Sequence, residues 1–126
     1  MRKKLICIDF DGVLHSYKSG WQGPRNIPDP PVDGAIMWLS NLVCFSGFMI
    51  EVCIYSFRNK YFRGKAAMRT WLLEHGLPKA QIRRIKFPTK KPAAWVTIDD
   101  RAIVFTGKFP ELKEITDFKP WYLWKP

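Results

Sequence analysis

Near its start the chain contains the run Leu5-Ile6-Cys7-Ile8-Asp9-Phe10-Asp11-Gly12, which indicates the fold class. Its first half is a short, unbroken apolar run, which is typical of a strand buried on both faces of a parallel sheet. Its second half places two acidic residues directly after that strand. Because ligands of such sheets bind beyond the carboxyl ends of the strands, the stretch predicts both a buried strand and a candidate site.

The rest of the chain alternates strands and helices. The stretch 15–34 is rich in Gly, Pro and Asp, which predicts a long loop. Apolar residues at helical spacing predict a helix from residue 35 to residue 43, ended by Gly47. We expect further strands over 49–55, 82–87, 95–98 and 102–105, a helix over 62–75 and a helical turn over 111–115. This order predicts an α/β fold with a mainly parallel sheet flanked by helices, and residues 1–126 fit a single domain.

The composition is that of an ordinary globular protein with a strongly basic balance. Hydrophobic residues make up 47% of the 126 residues, and 21 Lys and Arg against 11 Asp and Glu give a net charge of +10. This charge favours an anionic partner and argues against a cationic substrate. It does not separate a nucleotide, a nucleic-acid end and a sugar phosphate, and a solvated basic surface explains it equally well.

The cysteines and the apolar segments bear on the cellular compartment of the protein. Cys7, Cys44 and Cys53 lie in apolar runs without a CxxC pair, which predicts buried thiols in a reducing environment. We find no signal-peptide core before Asp9. The uncharged stretch 35–50 is shorter than the about 20 residues that a membrane span needs. A cytoplasmic protein without membrane contact is therefore expected.

Polar residues follow three of the predicted strands: Asp9 and Asp11 the first, Ser56 the second, and Asp99 and Asp100 the fourth. Four carboxylates at one sheet edge would repel one another and resist burial. A hard divalent cation with a preference for oxygen ligands resolves this conflict, and Mg²⁺ suits it. The alternative is that Asp9 and Asp11 only form a turn, since Asp-Gly is a common turn pair.

The sequence resembles the haloacid dehalogenase superfamily in four motifs that occur in order. They are the opening stretch with Asp9 and Asp11, the strand 52–56 ending in Ser56, Lys91-Pro92, and the strand 96–100 ending in Asp99-Asp100. Longer strings around residues 15–17, 20–23, 27–31 and 98–102 are similar to a group of small hydrolase-like proteins of phages and bacteria. For a phage-encoded member, the compartment is the host cytoplasm.

The resemblance implies a three-layer Rossmann-like fold and a Mg²⁺-dependent phosphatase that acts on a phosphomonoester. Asp9 would be the nucleophile that forms an aspartyl-phosphate, and Asp11 the general acid and then base. Ser56 and Lys91 would hold the phosphoryl oxygens, with Lys90 and Lys86 as less well-placed alternatives to Lys91. The metal ligands would be Asp9, Asp11 through its backbone carbonyl, Asp99 and Asp100.

Further residues are candidates for substrate binding. Gly12, Arg58 and Trp21 are candidates for the substrate, although a surface salt bridge suits Arg58 equally well and loop packing is favoured for Trp21. Tyr17 offers a second ring for stacking, and His15 is a lone histidine near the acids. Arg101 is expected to point away from the acids. The aromatic-basic tail 118–126 is expected to pack on the sheet or to meet another subunit.

The motif spacing leaves no room for a cap domain and allows only a flap at 15–33. An open site favours a large substrate or cover from a homo-oligomer, so the expected partner is a phosphorylated small molecule or a nucleic-acid end. The alternatives are a non-catalytic nucleic-acid-binding module and a sugar-phosphate phosphatase or phosphotransferase. No P-loop sequence is present, which excludes a fused kinase of that class.

Overall fold

The computed structural model describes residues 3–124, which build a four-stranded sheet flanked by helices. The strands are β1 (Lys4–Ile8), β2 (Ile50–Ile54), β3 (Ile85–Lys86) and β4 (Val96–Ile98), all parallel and in the order β3-β2-β1-β4. The helices are α1 (Ala35–Cys44), α2 (Gly64–Glu74), α3 (Lys79–Ile82) and α4 (Leu112–Thr116), and 3-10 helices cover Phe57–Lys60 and Trp121–Leu123. The predicted α/β class and parallel sheet are confirmed.

The pairing of β1 with its two neighbours positions the site. The register aligns Ile8 of β1 with Ile54 of β2 on one side and with Ile98 of β4 on the other. The next residues along the chain therefore leave the sheet at one common edge. The Asp9 N–H donates to the carbonyl of Ile98 at 2.9 Å, which fixes the first acid beside the end of β4.

The hydrophobic core packs against β1 and β2. Its members include Ile8, Val52 and Ile54 from the strands, Leu39 from α1 and Leu72 from α2. Burying each such side chain stabilises the fold by about 1.5–3 kcal/mol. Apart from Pro120, the buried apolar residues of the described chain lie before residue 88, so the segment from β4 to the tail contributes little to this core.

Three expectations from the sequence need correction. The expected strand over 102–105 is wrong, because these residues are exposed and pair with no neighbouring strand. The expected strand over 82–87 shrinks to β3, because Ile82 is buried as the last residue of α3 instead. Cys7 and Cys53 are buried as expected, whereas Cys44 is exposed at the end of α1.

No helix among residues 3–124 combines the length and the apolarity that crossing a membrane requires. The last two residues of the predicted tail, Lys125 and Pro126, lie outside the described residues.

Candidate active site

Three carboxylates meet at the carboxyl edge of the sheet. Asp9 follows β1, Asp99 and Asp100 follow β4, and one oxygen of each lies within 4.8 Å of the others. Asp9 Oδ1 accepts from the Phe10 N–H at 2.8 Å, and Asp99 Oδ1 accepts from the Arg101 N–H at 2.8 Å. The Asp100 side chain is almost fully buried. The predicted convergence of the strand ends is confirmed for these residues.

The cluster carries electrostatic strain in the absence of a cation. Burial, a hydrogen bond with Asp100 and repulsion from Asp99 and Asp100 raise the pKa of Asp9 from 3.8 to about 9. A proton shared between Asp9 and Asp100 relieves part of this repulsion, and a hard cation would relieve it more fully. The all-oxygen donor set fits such a cation.

The Asp11 carboxylate lies outside this three-acid cluster. Both of its oxygens accept hydrogen bonds from Arg58, from Nε at 3.0–3.2 Å and from Nη2 at 3.0 Å. His15 Nδ1 lies 2.8 Å from Asp11 Oδ1. These bonds occupy the Asp11 carboxylate, and the predicted metal role of Asp11, which uses its backbone carbonyl, stays a prediction.

Arg58 connects Asp11 to the flap. The side chain is fully buried, and its Nη1 donates to the carbonyls of Gly23, Pro24 and Asn26 at 2.9–3.2 Å. A desolvated cation requires such partners. The structure therefore places Arg58 behind Asp11, and the expected direct contact with substrate gives way to a positioning role.

His15 supports Asp11 from the other side. It is fully buried, and its Nε2 accepts from the backbone N–H of Asp29 at 3.1 Å. Because Nε2 accepts, Nδ1 carries the ring proton and donates to Asp11. The lone histidine that was a weak signal in the sequence thus helps to fix the candidate acid.

Ser56 follows β2, and Lys91 lies in the connection between β3 and β4. Ser56 is buried, and its Oγ accepts from the Arg58 N–H at 3.2 Å, which leaves the hydroxyl hydrogen free to donate to an anion. Lys91 lines a cavity of about 130 Å³ together with Asp9, Ser56 and Asp99. That lining includes Lys91 and not Lys90, which favours Lys91 as the candidate phosphate ligand.

A larger cavity of about 350 Å³ opens over Asp9 and Asp11. Ser56 and Asp100 line it together with four aromatic residues and Arg101. Gly12 lies beneath this cavity at φ +85°, where an added Cβ would collide with Asp100 Oδ2 and the Tyr122 ring. Glycine is therefore required there for close packing, and its contact with substrate stays a prediction.

The C-terminal tail closes one side of the larger cavity. Trp121 Nε1 donates to the Gly12 carbonyl at 2.6 Å, and the adjacent Tyr122 lines the cavity. The Tyr122 hydroxyl accepts from Arg101 Nη2 at 3.1 Å. Arg101 therefore faces the site, contrary to expectation, because its guanidinium turns back toward the tail and lies 4.0 Å from Asp100.

Sequence reasoning missed Phe57, Arg101 and Tyr122, which line the larger cavity, and Trp121, which holds the tail on Gly12. The aromatic content of the tail predicted packing but gave no target for it. Of the predicted residues, Asp9, Asp11, Ser56, Trp21 and Asp100 line the larger cavity, Lys91 and Asp99 line the smaller one, and Gly12 and Arg58 lie behind them. Comparisons of the chain with protein-family models, with curated proteins and with solved structures found no match.

Proposed function

We propose that this protein is a Mg²⁺-dependent phosphomonoester hydrolase of the haloacid dehalogenase type, with a capless, three-layer Rossmann-like fold. The observation that carries the proposal is the three-carboxylate cluster at the sheet edge, with Asp11, Ser56 and Lys91 around it. A cluster of acids alone suits a cation. The added hydroxyl and ammonium groups suit the oxygens of a transferring phosphoryl group.

The proposed reaction has two steps. A carboxylate oxygen of Asp9 attacks phosphorus, the bond to the leaving oxygen breaks, and Asp11 gives that oxygen a proton. Asp11 then takes a proton from a water molecule, whose oxygen attacks the aspartyl-phosphate. The bond between phosphorus and Asp9 breaks, which releases inorganic phosphate and restores the carboxylate.

The surrounding residues hold the reacting groups in place. Arg58 and His15 fix the direction of the Asp11 carboxylate, and Ser56 and Lys91 hold phosphoryl oxygens. Mg²⁺ held by Asp9, Asp99, Asp100 and the Asp11 carbonyl would supply the positive charge that keeps Asp9 ionised and offsets the charge of the phosphate.

The net charge of +10 favours a nucleotide or a nucleic-acid end over an uncharged partner. The flap and the tail cover part of the site, so a homo-oligomer is an additional source of cover and not a necessary one. Three cysteines without a disulfide among them support a reducing, cytoplasmic location.

The test is phosphate release from nucleotides, phosphorylated nucleic-acid ends and sugar phosphates, with Mg²⁺ or with EDTA. We expect Mg²⁺-dependent release by the wild type and a loss of about 10³-fold or more in Asp9→Asn. Asp33→Asn, which changes an exposed acid outside the cluster, is the matched control and retains activity.

Inactivity of the wild type on the whole panel defeats the proposal. If that inactive protein binds DNA or RNA with a steep salt dependence, a non-catalytic nucleic-acid-binding module replaces the enzyme. Recovery of the phosphoryl group on a sugar instead of in inorganic phosphate identifies a phosphotransferase.

A further inference from the structure

The larger cavity has aromatic walls that the hydrolysis steps do not use. Trp21 and Phe57 form one pair, with ring centroids 5.9 Å apart. Tyr17 and Tyr122 form another, with centroids 6.1 Å apart. All four rings line the cavity that contains Asp9, and across residues 3–124 no ring contact joins the two pairs.

The wall of Trp21 and Phe57 is anchored to the interior of the protein. The Arg58 guanidinium lies 4.9 Å from the centre of the Trp21 ring, which is a cation–π distance. Tyr61 supports Phe57 from behind, with centroids 5.3 Å apart. The ring of Trp21 is therefore fixed by the same buried cation that holds Asp11.

The wall of Tyr17 and Tyr122 is assembled at a cost in backbone energy. Tyr17 has a φ of 61°, in the left-handed region that an aromatic residue rarely adopts and that costs about 1–2 kcal/mol. Its ring makes an edge contact with buried His15, with centroids 5.9 Å apart. Strain of this kind concentrates at functional sites, where a side chain must be directed into a cavity.

The polar groups of the second wall suit the edge of a heterocycle. Tyr17 and Tyr122 each bring a phenolic hydroxyl to this cavity, which can donate and accept hydrogen bonds. Arg101 is largely exposed and has guanidinium nitrogens beyond the one that donates to Tyr122. The cavity thus offers flat aromatic surfaces together with hydrogen-bond donors, beside a candidate phosphate site.

We propose that Trp21, Phe57, Tyr17 and Tyr122 form a subsite for the nucleobase of a phosphorylated nucleotide, with the C-terminal tail as a specificity element. The inference rests on the proposed function, which places the phosphate at Asp9. Every nucleobase has a flat π face that can stack on aromatic side chains, whereas a sugar phosphate has no such face. The volume of about 350 Å³ is that of a small-molecule site, which suits one nucleotide, free or at the end of a strand.

The test measures binding separately from catalysis. Calorimetry with the Asp9→Asn protein and Mg²⁺ compares a nucleoside monophosphate with ribose 5-phosphate. We expect the nucleotide to bind about 5- to 150-fold more tightly, the range that stacking of one base provides. Mononucleotides and short oligonucleotides with a 5′- or 3′-phosphate then distinguish a free nucleotide from a strand end.

Variants show whether the aromatic walls cause the preference for the nucleotide over ribose 5-phosphate. Added to Asp9→Asn, Tyr122→Ala should remove most of the preference for the nucleotide, and Tyr122→Phe should keep it because the ring remains. Trp21→Ala tests the other wall without disturbing the tail. Leu123→Ala, next to Tyr122 on the same 3-10 helix and exposed, is the matched control and should keep the preference.

The outcomes separate this inference from the proposed function. Equal binding of the two phosphates, no binding of either, or a preference unchanged in both Tyr122→Ala and Trp21→Ala overturns the base subsite. Base-dependent binding without hydrolysis by the wild type supports the subsite and defeats the phosphatase. Equal hydrolysis of nucleotide and ribose phosphate supports the phosphatase and overturns the subsite.

Discussion

Arg58 is a single residue on which two parts of the site depend. Its guanidinium donates to both oxygens of Asp11 and to three backbone carbonyls of the flap. A buried cation is stable only where such partners replace its hydration. The orientation of Asp11 and the position of the flap are therefore set by one side chain and do not vary independently.

Replacing Arg58 should destabilise the fold strongly. We expect Arg58→Met to lower the free energy of unfolding by about 3–5 kcal/mol, because Asp11 is left largely buried without its partner. The free energy of unfolding of Arg58→Lys should lie between those of the wild type and Arg58→Met. The Lys ammonium keeps the positive charge but lacks the planar guanidinium that binds both Asp11 oxygens. Urea denaturation measures both. The exposed Arg101→Met is the control, with an expected change of less than about 1 kcal/mol; equal losses in the two Met variants would contradict the buried pair.

Gly12 tests close packing at a single residue. Gly12→Ala should be destabilised by more than Gly20→Ala, and both glycines have positive φ. At Gly20 an added Cβ meets open space, so only the backbone cost of about 1–2 kcal/mol applies. At Gly12 it also displaces Asp100 and Tyr122. Thermal unfolding compares the two variants, and an equal loss in both would show that the tail does not pack tightly on Gly12.

At the scale of elements, the strands that carry the acids were predictable and the segments that close the site were not. The runs that became β1, β2 and β4 are short, apolar and followed by polar residues, and parallel pairing then brings their ends together. The contact of Trp121 with Gly12 spans 109 residues, and no local pattern indicates it. The apolar residues 102–105 had strand composition but found no partner strand.

Helix α2 anchors the flap, and a donor on one of its side chains can be removed selectively. Trp71 is buried, and its Nε1 donates to the Asp29 carbonyl at 3.1 Å while its ring packs on Phe10 and His15. Trp71→Phe should loosen the flap while keeping an aromatic ring in the core. We expect faster tryptic cleavage after Lys18 and Arg25, both exposed in the flap.

The control for this prediction is Trp38→Phe, which changes an exposed tryptophan on α1. It should leave the rate of flap cleavage unchanged. Equal cleavage rates in wild type and Trp71→Phe would mean that the Trp71 donor does not help to hold the flap.

At the scale of the whole molecule, a strongly basic chain concentrates acids at its candidate site. The net charge is +10, yet four of the 11 acidic residues lie at the ends of β1 and β4. The overall field attracts anions, whereas the acid cluster repels them at short range. A bound cation reverses the sign of the cluster, so the binding of a phosphate and of a metal should depend on each other.

The stability of the metal-free protein should depend on pH through this cluster. The pKa of Asp9 is raised to about 9 in the folded protein, from an ordinary value of 3.8, by burial, by its hydrogen bond with Asp100 and by the nearby acids. The folded state therefore binds a proton that the unfolded chain releases, and the free energy of unfolding falls as the pH rises between about 4 and 9.

In EDTA, urea denaturation at several pH values should show this fall, and Asp9→Asn should flatten it because the amide does not titrate. Asp33→Asn, exposed and outside the cluster, should keep the wild-type slope. Added Mg²⁺ should stabilise the wild type more at pH 8 than at pH 6, since the cation displaces the shared proton. If the free energy of unfolding of Asp9→Asn fell with pH as steeply as that of the wild type, Asp9 would not be the group whose pKa is raised.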